Sequence, residues 1–107
     1  MGESGDAASR EEKSNPLSSP AIYLKAIPLK KFEDIELIKI ELKAGNIVIS
    51  NISPLARENI DDLKEAIVSL SEYVVQLEGD IARLGEERVV LTPKNVKIWR
   101  TNLDEKD

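Results

Sequence analysis

The sequence predicts an α/β two-layer sandwich with the element order β-α-β-α-β-β-β, a mixed sheet of about five strands with two helices on one face. Three observations predict it. Two segments repeat apolar residues at helical spacing, short β-compatible apolar runs flank them, and after the second segment the apolar period switches to two between glycine-bearing separators. With 107 residues the chain has room for one domain. A domain of that size buries only about 60 to 65% of the surface its unfolded chain exposes.

Residues 1–20 (MGESGDAASREEKSNPLSSP) contain almost no large apolar side chain. They cannot repay the entropy of ordering and read as a disordered linker. The folded domain is expected over 21–100. Its first strand is the apolar run 21–27 (AIYLKAI), ended by Pro28. Residues 32–43 (FEDIELIKIELK) admit two readings: Phe32, Ile35, Ile38 and Leu42 share a helical stripe, while 38–43 alternates as a strand would. Length and richness in Glu, Lys and Leu favour the helix. Gly45 can close that helix in a left-handed conformation, and 46–51 (NIVISN) follows as the second strand. Ser53 and Pro54 supply a cap and a first-turn proline for the second helix, in which Ile60, Leu63, Ile67 and Leu70 recur at helical spacing. Beyond it, 73–80 (YVVQLEGD), 81–87 (IARLGEE) and 88–93 (RVVLTP) read as three strands. Their separators, Gly79-Asp80 and Gly85-Glu86-Glu87, look like hairpin turns, with Gly79 taking a positive φ. The series runs out with VKIW at 96–99, and 101–107 is expected to be a flexible tail.

This architecture leaves one face of the sheet bare. The first helix also carries a spare apolar stripe at Leu37, Ile40 and Ala44, opposite its core-facing one. Exposed apolar surface on a small domain marks interfaces, so a homodimer is expected.

Composition excludes several classes of function. The chain has no cysteine and no histidine, which removes disulfides, thiolate chemistry, the usual general base near pH 7 and the commonest metal ligand. No metal and no cofactor is expected. The net charge of −5 gathers at the ends, leaving 13 acids against 12 bases over 21–100. That near-neutral middle, without interleaved aromatics, argues against nucleic-acid binding. No apolar run is long enough to span a membrane, and the start does not resemble a signal peptide, so the expected compartment is the cytoplasm. Met1-Gly2 is followed by Asp6 where acylation wants Ser or Thr. Abundant Ile, Leu, Glu and Lys hint at a thermophilic source.

Catalytic candidates dissolve one by one. Asp61 and Asp62 are explained by the helix dipole at the start of the second helix, and Glu86 and Glu87 are solvated acids in a turn. Ser50 and Ser53 have no histidine to activate them, and a cap is the natural role of Ser53. No nucleotide or zinc motif is present. The chain is therefore not expected to be an enzyme. Arg83 points outward from its strand, towards either water or an acidic partner.

The runs AIYLKAIPL and GNIVISNIS, and above all YVVQLEGDIARLGEERVVLTPKNVKI, resemble the SepF family of cell-division proteins in its archaeal form. The matching features of the last stretch are Gly79-Asp80-Ile81, Arg83, Gly85, the apolar 89–91, Thr92-Pro93 and Asn95-Val96. The resemblance implies a dimeric α/β adaptor, with assembly into higher polymers open to it. Such an adaptor binds the C-terminal tail of the tubulin-like division protein FtsZ and links the division ring to the inner face of the membrane. It implies a tail-binding groove between the second helix and the strands after the glycine turn. Arg83 would contact the tail, Leu63 would lie on the helix side, and Val89 would stand where phenylalanine is common. Each apolar position would pack the core with one wall and receive the peptide on an exposed edge. Gly79, at a position of subunit contact, would serve turn and interface together. Members usually begin with a membrane-lying amphipathic helix. Residues 1–20 lack an apolar stripe or basic face and are expected only to link, so membrane contact would come through a helix not contained in this chain. A second reading is a small-ligand or phosphorylation-controlled regulatory domain resembling anti-sigma antagonists, switched at Ser50 or Ser53.

Overall fold

The computed structural model of the chain describes residues 21–100. The expected linker at 1–20 and tail at 101–107 lie outside the described residues. Within them the order is β1 (Leu24–Ala26), a 3-10 turn (Phe32–Asp34) leading into α1 (Ile35–Lys43), β2 (Ile47–Asn51), α2 (Ser53–Glu58), α3 (Ile60–Leu77), β3 (Asp80–Leu84) and β4 (Arg88–Thr92). The strands form one mixed sheet ordered β1-β2-β4-β3, parallel between β1 and β2 and antiparallel elsewhere.

Register decides which residues make the core. Val48 lies opposite Leu91 and Ser50 opposite Val89, and all four are buried. Strand side chains alternate, so this is the face covered by the helices. Ile35, Ile38 and Leu42 of α1 pack on it, as do Leu55 of α2 and Leu63, Ala66, Leu70 and Val74 of α3. The ambiguous segment 32–43 is thus helical, as expected, with its first turn wound tighter. Burying each such Leu or Ile contributes about 2 kcal/mol, enough for a three-residue spacing of apolar side chains to override the local alternation.

Four expectations are corrected. The second helix is two helices, broken at Asn59, whose extended backbone lets its Oδ1 accept the amide N–H of Asp62 at 3.0 Å. Ser53 is not the cap of α2: Asn51 Oδ1 accepts the Ser53 N–H at 2.9 Å. Residues 73–77, expected in a strand, finish α3, because Val74 continues the Leu63, Ala66, Leu70 stripe and burial outweighs the β preference of Tyr and Val. VKIW at 96–99 forms no strand, and four strands rather than about five make the sheet among the described residues.

The two expected hairpin glycines also differ. Gly85 has φ +77° in the three-residue turn between β3 and β4, as a tight reversal needs. Gly79 is not in a hairpin and has no positive φ; that burden falls on Glu78, at φ 68° closing α3. A Cβ on Gly79 would stand 2.1 Å from the carbonyl oxygen of Thr92. The glycine is required by the close approach of the α3 exit to β4.

Candidate protein-binding site

Three residues were expected to line a groove for a partner. Arg83 and Val89 are brought together as directly paired residues of β3 and β4, so their side chains leave the same, helix-covered face. Val89 is interior, 1% exposed, and Leu63 of α3 is 7% exposed. Both support the surface from beneath. They offer a peptide almost no exposed edge, because the helix layer closes over them, and of the three only Arg83 reaches solvent. Among the described residues its strand is the outer one of the sheet, so it stands at the rim of the helix layer. The guanidinium Nη2 donates to the carbonyl oxygen of Glu86 at 2.9 Å. No carboxylate pairs with it among the described residues, leaving an exposed cation aimed along the β3–β4 turn.

The sheet face left bare among the described residues now has named residues. Leu24, Ile47, Ile49, Ala82, Leu84 and Val90 share it by register. Leu24 and Leu84 are exposed, and the central four are half-buried by strand neighbours. Leu37 and Ile40 of α1 are more than half exposed, as their stripe predicted. Gly79 is a packing residue where the α3 exit meets β4.

Two polar clusters were not foreseen. At one end of the sheet, Glu41 Oε1 bonds Lys25 Nζ and Asn46 Nδ2, each at 3.0 Å, while Asn46 Oδ1 accepts the Tyr23 N–H. The Lys25 hydrogen bond, then that of Asn46, holds the Glu41 carboxyl below its ordinary range. At the other end, Asp80 accepts the N–H groups of Ile81 and Ile98, each at 2.9 Å, and Arg100 Nη1 at 3.0 Å. The Arg100 guanidinium foremost, with those two amides, holds Asp80 down to about 2 against the opposing effect of burial. Sequence spacing gave no signal for either cluster: Glu41 and Asn46 are five residues apart across the end of α1, and Asp80 and Arg100 are twenty apart.

Of the two serines named for a switch, Ser53 is half-buried at the start of α2. Ser50 is fully buried with its hydroxyl unpartnered, so no kinase reaches it in the folded domain. Among the described residues no group of acids could hold a metal ion, and no helix is long and apolar enough to cross a membrane.

Comparison with known proteins places this architecture. The family model described as cell division protein SepF matches residues 25–98. The chain is 30% identical over 74 residues to the cell division protein SepF of Haloferax volcanii, covering 67% of this chain and 60% of that protein. It is 26% identical over 92 residues to an uncharacterised protein of Methanocaldococcus jannaschii, covering 86% and 62%. It therefore spans about three fifths of the length of these curated relatives. SepF-like proteins of known structure from Pyrococcus furiosus and Archaeoglobus fulgidus superpose with TM-scores of 0.70 at 29% and 27% identity. They cover 78% and 76% of this chain and 100% and 96% of theirs. The cell division protein SepF from Methanobrevibacter smithii, solved in complex with FtsZ-CTD, shares the fold at TM-score 0.66 and 21% identity, with 74% of this chain and 99% of that one covered.

Proposed function

The chain belongs to the SepF family of cell-division proteins, and from that premise we propose that it is a non-enzymatic adaptor. It dimerises in the cytoplasm, binds the C-terminal tail of FtsZ at the division site, and links the division ring to the inner face of the membrane. Membrane attachment on this reading comes from outside residues 21–100. The observation that carries the peptide site is Arg83: an exposed guanidinium at the sheet rim, braced by Val89 across the strand pair, whose only bond among the described residues is to a turn carbonyl. A tail carrying a carboxylate gains a charge-assisted bond there without breaking an ion pair. Apolar tail residues would then pack on the half-buried Ile67 of α3 and Ile81 of β3, both of which lie against the core.

Calorimetric titration with a synthetic FtsZ C-terminal peptide tests both levels. The wild-type chain should bind it, and Arg83→Glu should weaken binding at least about tenfold, the scale of turning an attractive rim charge repulsive. Equal affinity for the two proteins removes Arg83 from the site. Absence of wild-type binding at millimolar peptide removes the adaptor reading itself.

A further inference from the structure

The described chain enters and leaves the domain at the same end. β1 opens at Leu24 beside Ile47, the first residue of β2, and β3 opens at Asp80 beside Thr92, the last residue of β4. The register of β2 on β4, with Val48 opposite Leu91, brings these two pairs into one row. Both long helices finish at this row. Asn46, just past α1, is tied through its side chain to the Tyr23 N–H, and Lys97 Nζ donates to the carbonyl oxygens of Glu78 and Gly79, just past α3. The chain therefore arrives here ahead of Tyr23 and departs here at Arg100, whose guanidinium lies on Asp80.

This end is chemically unlike the other. Trp99 is 87% exposed, Tyr23 60% and Ile22 56%. Trp99 is nonetheless held in place: the Ile98 N–H and Arg100 donate to Asp80, Arg100 Nη2 donates to the Ile81 carbonyl oxygen at 2.7 Å, and Thr92 Oγ1 donates to the Val96 carbonyl oxygen. An aromatic side chain presented on a segment already fixed offers contact area at little ordering cost. Lys25, Lys43, Lys94, Lys97 and Arg100 share this end with Glu41, Glu78 and Asp80. The three acids are taken up by Lys25, Lys94 and Arg100 respectively. Lys43 and Lys97 have no carboxylate partner among the described residues. At the opposite end Glu58, Asp61, Asp62, Glu86 and Glu87 gather around α2, the start of α3 and the β3–β4 turn, and acids outnumber bases. A chain of net charge −5 thus carries one cationic, aromatic pole.

Exposed Trp and Tyr beside unpaired cations settle at the headgroup level of an anionic bilayer. We infer that this pole rests on the anionic inner face of the membrane, with Trp99 and Tyr23 among the headgroups and Lys43 and Lys97 beside lipid phosphates. The inference rests on the reading that attachment comes from outside residues 21–100. On either side of those residues the chain departs from this pole, so an anchor in either direction delivers the pole to the lipid. Two aromatic rings and two cations hold far too weakly to recruit a free domain, since even a single acyl chain anchors only marginally. Tethering supplies the effective concentration that makes the contact count. The contact then sets orientation: the acidic pole is turned from the anionic surface, and Arg83, aimed along the β3–β4 turn, faces away from the membrane.

Trp99 is the sole tryptophan and the chain has no histidine, so one residue reports the contact and an added histidine tag is a unique tether. The full chain, tagged at its N-terminus, is bound to phosphatidylcholine and phosphatidylglycerol vesicles doped with a nickel-chelating lipid. Replacing plain lipids by lipids brominated high in the acyl chain, at equal nickel, should quench about half of the Trp99 emission. Lys43→Glu combined with Lys97→Glu should cut that quenching at least about threefold. Trp99→Phe combined with Glu86→Trp moves the reporter to the opposite pole and should abolish it. Unquenched Trp99 in the tethered chain, quenching indifferent to the two lysine substitutions, or equal quenching at both reporter positions would each overturn the proposal. A Trp99 emission shift produced without lipid, by raising protein concentration or adding the FtsZ peptide, would also overturn it by placing Trp99 in a protein interface. Because the tag supplies the attachment, these outcomes are independent of the calorimetric titration on which the adaptor reading stands or falls.

Discussion

At the scale of single residues, Gly79 and Asp80 show how two adjacent positions are fixed by different physics. Gly79 is set by distance: with Thr92 O 2.1 Å from any added Cβ, Gly79→Ala must push β4 away from the α3 exit. The expected loss is about 3 kcal/mol, seen as a fall in melting temperature of roughly 15 °C. A larger residue there should unfold the domain, rather than only disturb a subunit contact. Asp80 is set by charge. Its carboxyl is depressed from 3.8 to about 2, so the folded state favours the ionised form. Its stabilisation is fully present above pH 3.8 and lost as pH falls through the window down to about 2. Solvent screening at the half-exposed Arg100 limits the effect to about 1 kcal/mol. Urea unfolding at pH 6, 4 and 2.5 should show this increment for the wild type and lose most of it for Arg100→Ala.

At the scale of elements, α3 shows where sequence reading succeeds and where it stops. Its core-facing stripe was legible, since Leu63 and Leu70 recur on one face. Its end was not. Tyr73, Val74 and Val75 are β-favouring, and the glycine after them imitates a hairpin. What settles the segment is that Val74 falls four residues after Leu70 and is driven onto the same buried surface, a tertiary term that local preference does not contain. The break at Asn59 was missed for a related reason: α2 and α3 both put leucines on the core, so the stripe reads through a junction visible only as a capping side chain. Asn59→Ala should lower stability by about 1 kcal/mol, measured by chemical denaturation, with Asp62 the amide that loses most exchange protection. By contrast, the β3–β4 reversal was legible because Gly85 marks a local conformation rather than a distant contact.

At the scale of the whole molecule, the sequence made plain that apolar surface was left over, but not which surface was larger. The register supplies the answer by collecting Leu24, Ile47, Ile49, Ala82, Leu84 and Val90 from four strands onto one face. The α1 stripe contributes only Leu37 and Ile40 as large exposed side chains. If the domain pairs through its wider apolar area, Val90→Glu should yield a monomer at tens of micromolar by light scattering, while Ile40→Glu should leave the dimer intact. The peptide site was legible only in part, because Arg83 could be assigned outward from strand alternation, whereas the burial of Leu63 and Val89 depends on how the helix layer closes.

The parallel pairing of β1 with β2 bears on how this fold carries load. A pull applied ahead of residue 24 enters the domain at its shortest strand, three residues joined to β2. The seam is reinforced just where the pull arrives: Tyr23 is tied to Asn46, and Lys25 to Glu41. Strained along the strands, these bonds must shear together rather than open one by one. The Lys25–Glu41–Asn46 cluster is therefore placed to resist such a pull first.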